Sequence, residues 1–452
     1  MKLLRFAPAA AALALLGWLA WPRGAERTDD RLTVVSPHWE GIREEFDRAF
    51  VRHWRQRTGR SVRLVWLDLG GTSKCVRFIT AGEPGAHRAD VFFGGGVDNC
   101  LELADKGYLE PVGLPADVAA RVPLELGGFP LRDAGNRWYS ACLSSFGICY
   151  NREVLRRRKL PEPREWEDLA DARLLDWVGS GEPRSSGTVH MCYEMILQSY
   201  GWERGFGLIT RMAGNIRAFD EGGGGVPRAI AAGEFAAGGS IDFYALERVI
   251  QLGSDSMGYA VPTRMPVING DPVAALAGAP RPDLAAEFVR FVMSEPGQRL
   301  WHLRPGAPGG PERFALGRLP AWRELSAEAA RQLGLTDPYA MKGLGGWDGK
   351  KNGRRWGLLN ELLGAAAIEP HDELRRAWRA LVAAGLPEAG LAEFGAPPCG
   401  EQEFMRLADW YNDRSVKAGD KNAQVAEWGR WARDKYARVR KKYEGRAPGC
   451  AQ

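Results

Sequence analysis

The chain has 452 residues and 49.8 kDa, 45% hydrophobic, enough apolar material for two or three domains with a sizeable core, which excludes disorder as the main state. Its 61 Lys and Arg against 56 Asp and Glu leave a net charge of +5, too small an excess over this length for a dedicated nucleic-acid surface. The 56 glycines cluster in short runs between apolar segments, unlike a collagen or linker pattern, and mark loops where backbone comes close to a ligand.

Lys2 and Arg5 precede an uninterrupted apolar stretch from Phe6 to Trp21, followed by Pro22-Arg23-Gly24 and polar chain. Residues 1–25 therefore read as an export signal. Trp18 and Arg23 stand where a small residue is wanted before cleavage points at Ala20 and Ala25, so a retained inner-membrane anchor is the alternative. The stretch is shorter than the roughly 20 residues that comfortably span a bilayer, which favours the signal peptide. A periplasmic location follows, with residues 31 onward soluble. The seven cysteines of an exported chain can form disulfides, with at least one left free or paired between chains. Cys142 and Cys149 share one extended stretch, seven residues at about 3.3 Å each, which sets them roughly 23 Å apart and rules out pairing. No C-x-x-C occurs and the six histidines are scattered, which disfavours zinc.

From Arg31 the chain alternates strand and helix. Leu32 to Ser36 is a brief apolar run; Ile42, Phe46, Phe50 and Trp54 then recur every four residues between Glu40 and Arg57, an amphipathic helix. Val62 to Leu67 is the next strand, Thr72 to Ala81 a helix, Val91 to Phe93 a short buried strand and Asn99 to Lys106 a helix. Repeated βαβ units predict a parallel sheet. A second α/β unit follows the extended stretch Trp138 to Tyr150, with helices at Val189 to Tyr200 and Pro227 to Ala232 and a strand at Ser240 to Phe243. Pro282 to Met293 is again an amphipathic helix.

The fold class expected is thus α/β, two lobes joined by hinge crossings near residues 140–149 and 244–262, with a cleft between them. The first lobe takes residues 31–141 and 260–330, the second 142–259. Residues 331–452 form a separate helical extension (Arg354 to Ala367, Asp372 to Ala384, Gln402 to Tyr411, Ala423 to Tyr443) in which Trp347, Trp356, Trp378, Trp410, Trp428 and Trp431 are packing residues. Its last helix carries Arg430, Arg433, Lys435, Arg438, Arg440, Lys441 and Lys442, a solvated basic face.

Three small-residue turns run directly into predicted helices: Gly70-Gly71-Thr72-Ser73, Ser185-Ser186-Gly187-Thr188 and Gly222-Gly223-Gly224-Gly225-Val226-Pro227. The first turn of a helix has free N–H groups at the positive end of the helix dipole and accepts anionic oxygens. Capping by Thr72, Ser73 or Ser186 explains any one of them alone; three together point to a ligand. Gly94-Gly95-Gly96, at the end of a parallel strand, is a fourth loop of this kind, where α/β sheets place ligands. Enzyme signatures fail: Gly343 to Lys350 has one residue too many for a phosphate-binding loop, with Lys351 where Ser or Thr should be, and neither G-x-S-x-G nor G-x-G-x-x-G occurs. No cofactor is expected.

These stretches also carry a resemblance. Leu32-Thr33-Val34-Val35-Ser36-Pro37-His38, Gly70-Gly71-Thr72-Ser73, Asp90-Val91-Phe92-Phe93-Gly94-Gly95-Gly96, Leu143-Ser144-Ser145-Phe146-Gly147-Ile148, Ser186-Gly187-Thr188, Ile241-Asp242-Phe243-Tyr244 and the late segment Ala285 to Gln298 occur in this order over residues 31 to about 315. The chain resembles the type II periplasmic solute-binding proteins of ABC importers, in particular the branch that looks like the ferric-ion-binding proteins. The resemblance implies a two-lobed receptor that closes on one solute and delivers it to an inner-membrane ABC permease. The ligand-binding positions are then Ser36, His38, Gly71, Thr72, Ser73, Gly95, Gly96, Ser145, Ser186, Gly187, Thr188, Asp242 and Tyr244. Iron-binding members of that branch use two adjacent tyrosines; here the pair is Phe243-Tyr244, and loss of one phenolate removes a hard oxygen that ferric iron favours. A small anionic solute is therefore expected first, ferric iron held by Asp242 and Tyr244 second, and an enzyme or sensor on the same fold third.

Overall fold

The computed structural model describes residues 30–220 and 222–445. The predicted export segment and Cys450 lie outside them, and among the described residues no helix is long and apolar enough to cross a membrane.

The first elements follow the expected order: β1 (Asp30–Val35), α1 (Glu40–Thr58), β2 (Val62–Leu67), α2 (Thr72–Ile79), β3 (Val91–Phe93) and α3 (Val97–Asp105). β1 pairs in parallel with β2 and β3. On α1 the four-residue spacing puts Ile42, Phe46 and Phe50 on one fully buried face, while half-buried Trp54 donates Nε1–H to Asp30 Oδ2 at 3.1 Å. Short elements β4 (Leu109–Glu110), α4 (Ala116–Ala119), β5 (Glu125–Leu126) and β6 (Phe129–Pro130) lead to β7 (Tyr139–Asn151), thirteen residues that are all buried.

β7 joins the two halves of the sheet. After it come α5 (Arg152–Arg157), β8 (Val178–Gly181), α6 (Gly187–Tyr200), α7 (Trp202–Asn215), β9 (Ile216–Asp220), α8 (Gly225–Ala231), β10 (Ala237–Ile241), α9 (Asp242–Leu252), β11 (Met257–Ala260) and β12 (Ile268–Leu276). Then follow α10 (Pro282–Met293), α11 (Glu295–Arg299), β13 (Leu319–Pro320) and α12 (Arg323–Leu333). The order across the sheet is β2-β1-β3-β12-β7-β10-β8-β9. Tyr139 to Ser145 pair antiparallel with β12, with β13 alongside, and Phe146 to Asn151 with β10 and β11.

Three expectations need correcting. The strand read at Ser240 to Phe243 ends at Ile241, and Asp242 and Phe243 open α9. The second crossing, placed at 244–262, accordingly begins as helix as far as Leu252, because Ala245 and Leu246 are buried and Val249 packs beside them at helical spacing, and continues through β11; residues 261–267 make the return to β12. Helix α7 went unread because Gly205, Gly207 and Gly214 dilute its pattern. Those glycines serve close approach: a Cβ at Gly205 would stand 2.9 Å from Leu197 Cα and one at Gly214 2.4 Å from the Trp378 ring.

The third correction concerns the helical region, α13 (Gly349–Leu363), a π-helical turn at Gly364–Ile368, α14 (His371–Ala383), α15 (Glu388–Gly395), α16 (Glu401–Asn412) and α17 (Ala418–Tyr443). It is not set apart but shares one hydrophobic core with α6 and α7. Trp378 is 1% exposed and donates Nε1–H to Asn215 Oδ1 at 2.8 Å. Trp202 packs on Phe404 with ring centroids 4.6 Å apart and donates to the Cys399 carbonyl at 2.8 Å. The face of α17 is not wholly solvated either: Lys435 is 2% exposed and donates to the Ala396 carbonyl at 3.0 Å, and burial pushes its ammonium down to about 7. The six described cysteines are free thiols, with Cys142 and Cys149 both on β7.

Truncation after Leu333 is expected to leave the apolar faces of α6 and α7 bare and to give an insoluble or unfolded product, checked by circular dichroism and gel filtration; a soluble, cooperatively unfolding fragment would show the helices to be separable. In the full chain, Trp378→Ala should cost about 3–5 kcal/mol of stability in urea titration.

Candidate ligand-binding site

The predicted site residues gather into two groups. In the first, Ser36 leaves the end of β1 with its N–H donating to the Leu67 carbonyl at 3.1 Å, and its Oγ accepts the His38 N–H at 3.1 Å. His38 Nε2 lies 2.8 Å from Asp271 Oδ2, and its ring meets Phe93 edge-on at 4.6 Å. Burial lowers the His38 pKa against the pull of Asp271, so a neutral ring with Nε2–H donating to the carboxylate accounts for the pair.

β3 opens into Gly94, Gly95 and Gly96 with φ of 102°, 93° and 84°, a region L side chains rarely adopt. Space demands glycine too: a Cβ at Gly94 would stand 2.8 Å from the His38 ring and one at Gly95 2.8 Å from Thr72 Cγ2. The loop therefore lies against both residues and brings the starts of α2, after Gly71, and α3, after Gly96, side by side. Neither start has a side-chain cap, which leaves first-turn amides for another acceptor. Ser73 follows Thr72 in the first turn of α2. The Asn269 amide nitrogen stands 3.6 Å from where a Gly96 Cβ would be.

In the second group Ser186 caps α6, its Oγ accepting the Val189 N–H at 3.4 Å. Gly187 is exposed and Thr188 half-buried in the first turn. Gly223 fits against both hydroxyls, 2.9 Å and 3.2 Å from the point its Cβ would occupy, and a Cβ at Gly224 would stand 3.4 Å from the Tyr244 ring. The starts of α6, α8 and α9 thus meet. Asp242 opens α9 with its carboxylate turned inward: Oδ2 accepts the Ser145 N–H at 2.7 Å and Oγ–H at 3.1 Å, and Oδ1 accepts the Phe243 N–H at 2.7 Å. Burial pushes this carboxyl up to about 6 despite those donors.

Arg318 bridges the groups, and sequence reasoning missed it. It is 5% exposed; Nη1 donates to Asp271 Oδ2 and approaches Cys142 Sγ at 3.8 Å, and the guanidinium lies 4.0 Å over the Phe243 ring. Its Nε and Nη2 donate to no described residue, yet they are not sealed from solvent. Burial alone would raise the Asp271 carboxyl, but His38 and Arg318 outweigh it and hold it well below the usual carboxylate range. Asp271 and Asn269 were missed as well. The available signal was a lone charge inside an apolar run, Asp271 between Ile268 and Leu276, and Arg318 between Phe314 and Trp322.

Of the two residues considered for iron, Asp242 is engaged, its oxygens accepting three hydrogen bonds, while Tyr244 is 36% exposed and its neighbour Phe243 carries Arg318. Among the described residues no group of three or more His, Cys, Asp or Glu side chains is placed to hold a metal ion.

Residues 89–315, just over half of the chain, match the bacterial extracellular solute-binding protein family, and the protein belongs to it. Solved structures share its two-lobed periplasmic-binding fold. Apo ferric ion-binding protein A of Pasteurella haemolytica is 15% identical with a TM-score of 0.55, over 76% of this chain and 98% of that one. FutA of Trichodesmium, in complex with iron and citrate, is 18% identical with a TM-score of 0.51, over 76% and 99%. AfuA of Actinobacillus pleuropneumoniae, with fructose-6-phosphate bound, is 21% identical with a TM-score of 0.50, over 68% and 96%. Among curated proteins, the phosphoglycerate transport regulatory protein PgtC of Salmonella typhimurium is 29% identical over 163 residues, 36% of this chain. An uncharacterized Haemophilus influenzae protein is 28% identical over 215 residues, 47% of this chain. The aligned stretches span 40% and 60% of those two proteins' lengths.

Asp242 makes stability depend on pH. Its carboxyl titrates near 6 in the folded chain and about 3.9 unfolded, so between those values the folded state holds more protons and stability falls as pH rises, by about 3 kcal/mol in all. Urea titrations at pH 4, 5, 6 and 7 should show this slope in the wild type and its loss in Asp242→Asn; parallel curves would contradict the assignment.

Proposed function

We propose that the protein binds a small oxyanion between its lobes and passes it to an inner-membrane ABC permease. The lobes would be residues 31–141 with 260–330, and 142–259 enlarged by the helical region. Donors from the first lobe would be the amides and hydroxyls at Gly71, Thr72, Ser73, Gly95 and Gly96, beside Ser36 and His38. Those from the second would be Ser186, Gly187 and Thr188, with Ser145, Asp242 and Tyr244 shaping the wall. Hydroxyls and first-turn amides of this kind suit phosphate esters and carboxylates.

Arg318 carries the choice of an anion over ferric iron. A guanidinium repels a cation at 4 Å by about 4 kcal/mol per unit charge in a partly shielded environment and attracts an anion by as much. Ionised Asp271, paired with Arg318, offsets part of both, so the Arg318 donors that Asp271 leaves unengaged are what favours an oxyanion. Those donors, Nε and Nη2, form a fork suited to it. The name of PgtC makes 3-phosphoglycerate the first probe. That name also describes a regulatory protein, which favours a ligand sensor as second reading; a permease and ATPase encoded beside this chain would speak for uptake.

In calorimetry with 3-phosphoglycerate and fructose-6-phosphate, Arg318→Gln, or Thr72→Ala with Ser73→Ala, should weaken binding at least about tenfold, 1.4 kcal/mol, and Arg318→Lys should recover part of it. Unchanged affinity in these variants, or a visible phenolate-to-iron absorbance on adding ferric citrate to the wild type, would overturn the reading.

A further inference from the structure

Helix α6 begins with the Ser186–Thr188 turn and carries a polar stripe at four-residue spacing, His190, Glu194 and Gln198, which places the three on one helix face. On an outer helix of an α/β lobe such a stripe faces water. Here His190 and Glu194 are 0% exposed, because α13 lies over them with polar groups in matching positions.

His190 Nδ1 is 2.6 Å from the Asn360 side-chain amide and Nε2 2.8 Å from that of Asn352. A neutral imidazole, the form burial favours, donates from one nitrogen and accepts at the other, so one of the two amides turns its NH2 inward. The Trp356 ring stacks on the imidazole with centroids 3.5 Å apart. One turn further on, the Arg355 guanidinium grips Glu194 from Nε and Nη2 at 2.8–3.1 Å, both side chains fully buried, and Nη1 reaches Glu401 at 2.9 Å. Another turn on, Gln198 exchanges hydrogen bonds with the Asp348 backbone at 2.8 and 3.1 Å.

The same segment also touches the ligand turn. Trp356 Cζ2 lies 3.7 Å from where a Gly187 Cβ would be, and Arg184, two residues before Ser186, bonds Glu369 at 2.9 Å while packing against Gly364. A buried polar network is stable only with every member paired, so α6 cannot slide or rotate beneath α13 without stranding His190 and Glu194 together.

We propose that residues 349–369 are the positioning element of the second lobe's anion turn. They set the height and rotation of the α6 start, so that ligand affinity depends on Asn352, Trp356 and Asn360, none of which touches the ligand. The first lobe's turn at Gly71–Thr72 rests on Gly95 instead and is independent of them. The affinity half of this inference rests on the oxyanion reading; the positioning half does not.

The test uses the full chain, with backbone hydrogen exchange read by mass spectrometry beside calorimetry with 3-phosphoglycerate. In Trp356→Ala and in Asn360→Leu, amides of residues 182–189 should exchange at least about tenfold faster, while those of residues 70–75 and 94–99 are unchanged. Affinity should fall at least about fivefold, and Trp356→Phe, which keeps a ring on His190, should restore both. Unchanged exchange at 182–189, or equal acceleration in both lobes, overturns the proposal. A wild type that binds neither 3-phosphoglycerate nor fructose-6-phosphate removes the oxyanion reading and leaves the exchange result to decide the positioning.

Discussion

A buried strand must pair its backbone along its whole length, and β7 is buried over all thirteen residues from Tyr139 to Asn151. It meets this demand by changing partners: Ser145 is opposite Ile268 of β12, and Phe146 is opposite Ile241 of β10. At that change the Ser145 N–H turns to the Asp242 carboxylate, and the residues on either side belong to different halves of the sheet. The candidate site sits where the ladder switches because that is where backbone groups and chain ends are left for polar side chains to satisfy. Open α/β sheets put ligands at such switch points for the same reason.

The electrostatics follow from the same crowding. Asp271 and Arg318 are 15% and 5% exposed at their side chains, and a buried pair gains little net stability while the loss of either partner strands the other. Such a pair is better explained by what it orients. Asp271 holds Arg318 by one end, Phe243 supports its face, and the remaining donors are left without a partner among the described residues. A tyrosine at 243 would bring a hydroxyl to this neighbourhood, whereas phenylalanine supplies only the ring face on which a guanidinium stacks.

The sequence was legible where local chemistry decides structure. Ile42, Phe46 and Phe50 announced α1, and the glycine runs announced the turns, because helical spacing and backbone freedom are properties of neighbouring residues. It was illegible where the partner is distant: His38 and Asp271 are 233 positions apart, Asp271 and Arg318 47, His190 and Asn352 162. A lone Asp or Arg in an apolar run declares a need for a partner without naming it. The helices after residue 333 were recognised as helices, yet their attachment depended on matching α6's polar stripe to one on α13, each of which alone looks like a solvated face.

These contacts also differ in what they cost to break. Were the proposed lobes to part, the separation would fall either between Arg318 and Phe243 or between Arg318 and Asp271. A desolvated cation–π stack contributes about 2 kcal/mol, whereas stranding a buried carboxylate costs about 3–5 kcal/mol. Arg318 should therefore stay with Asp271 and the first lobe while Phe243 withdraws with α9. The second lobe, stiffened by the His190 and Glu194 networks, would move as one body with the helical region. An open crystal form in which Arg318 had left Asp271 to follow Phe243 would show that the stack, and not the ion pair, governs the motion.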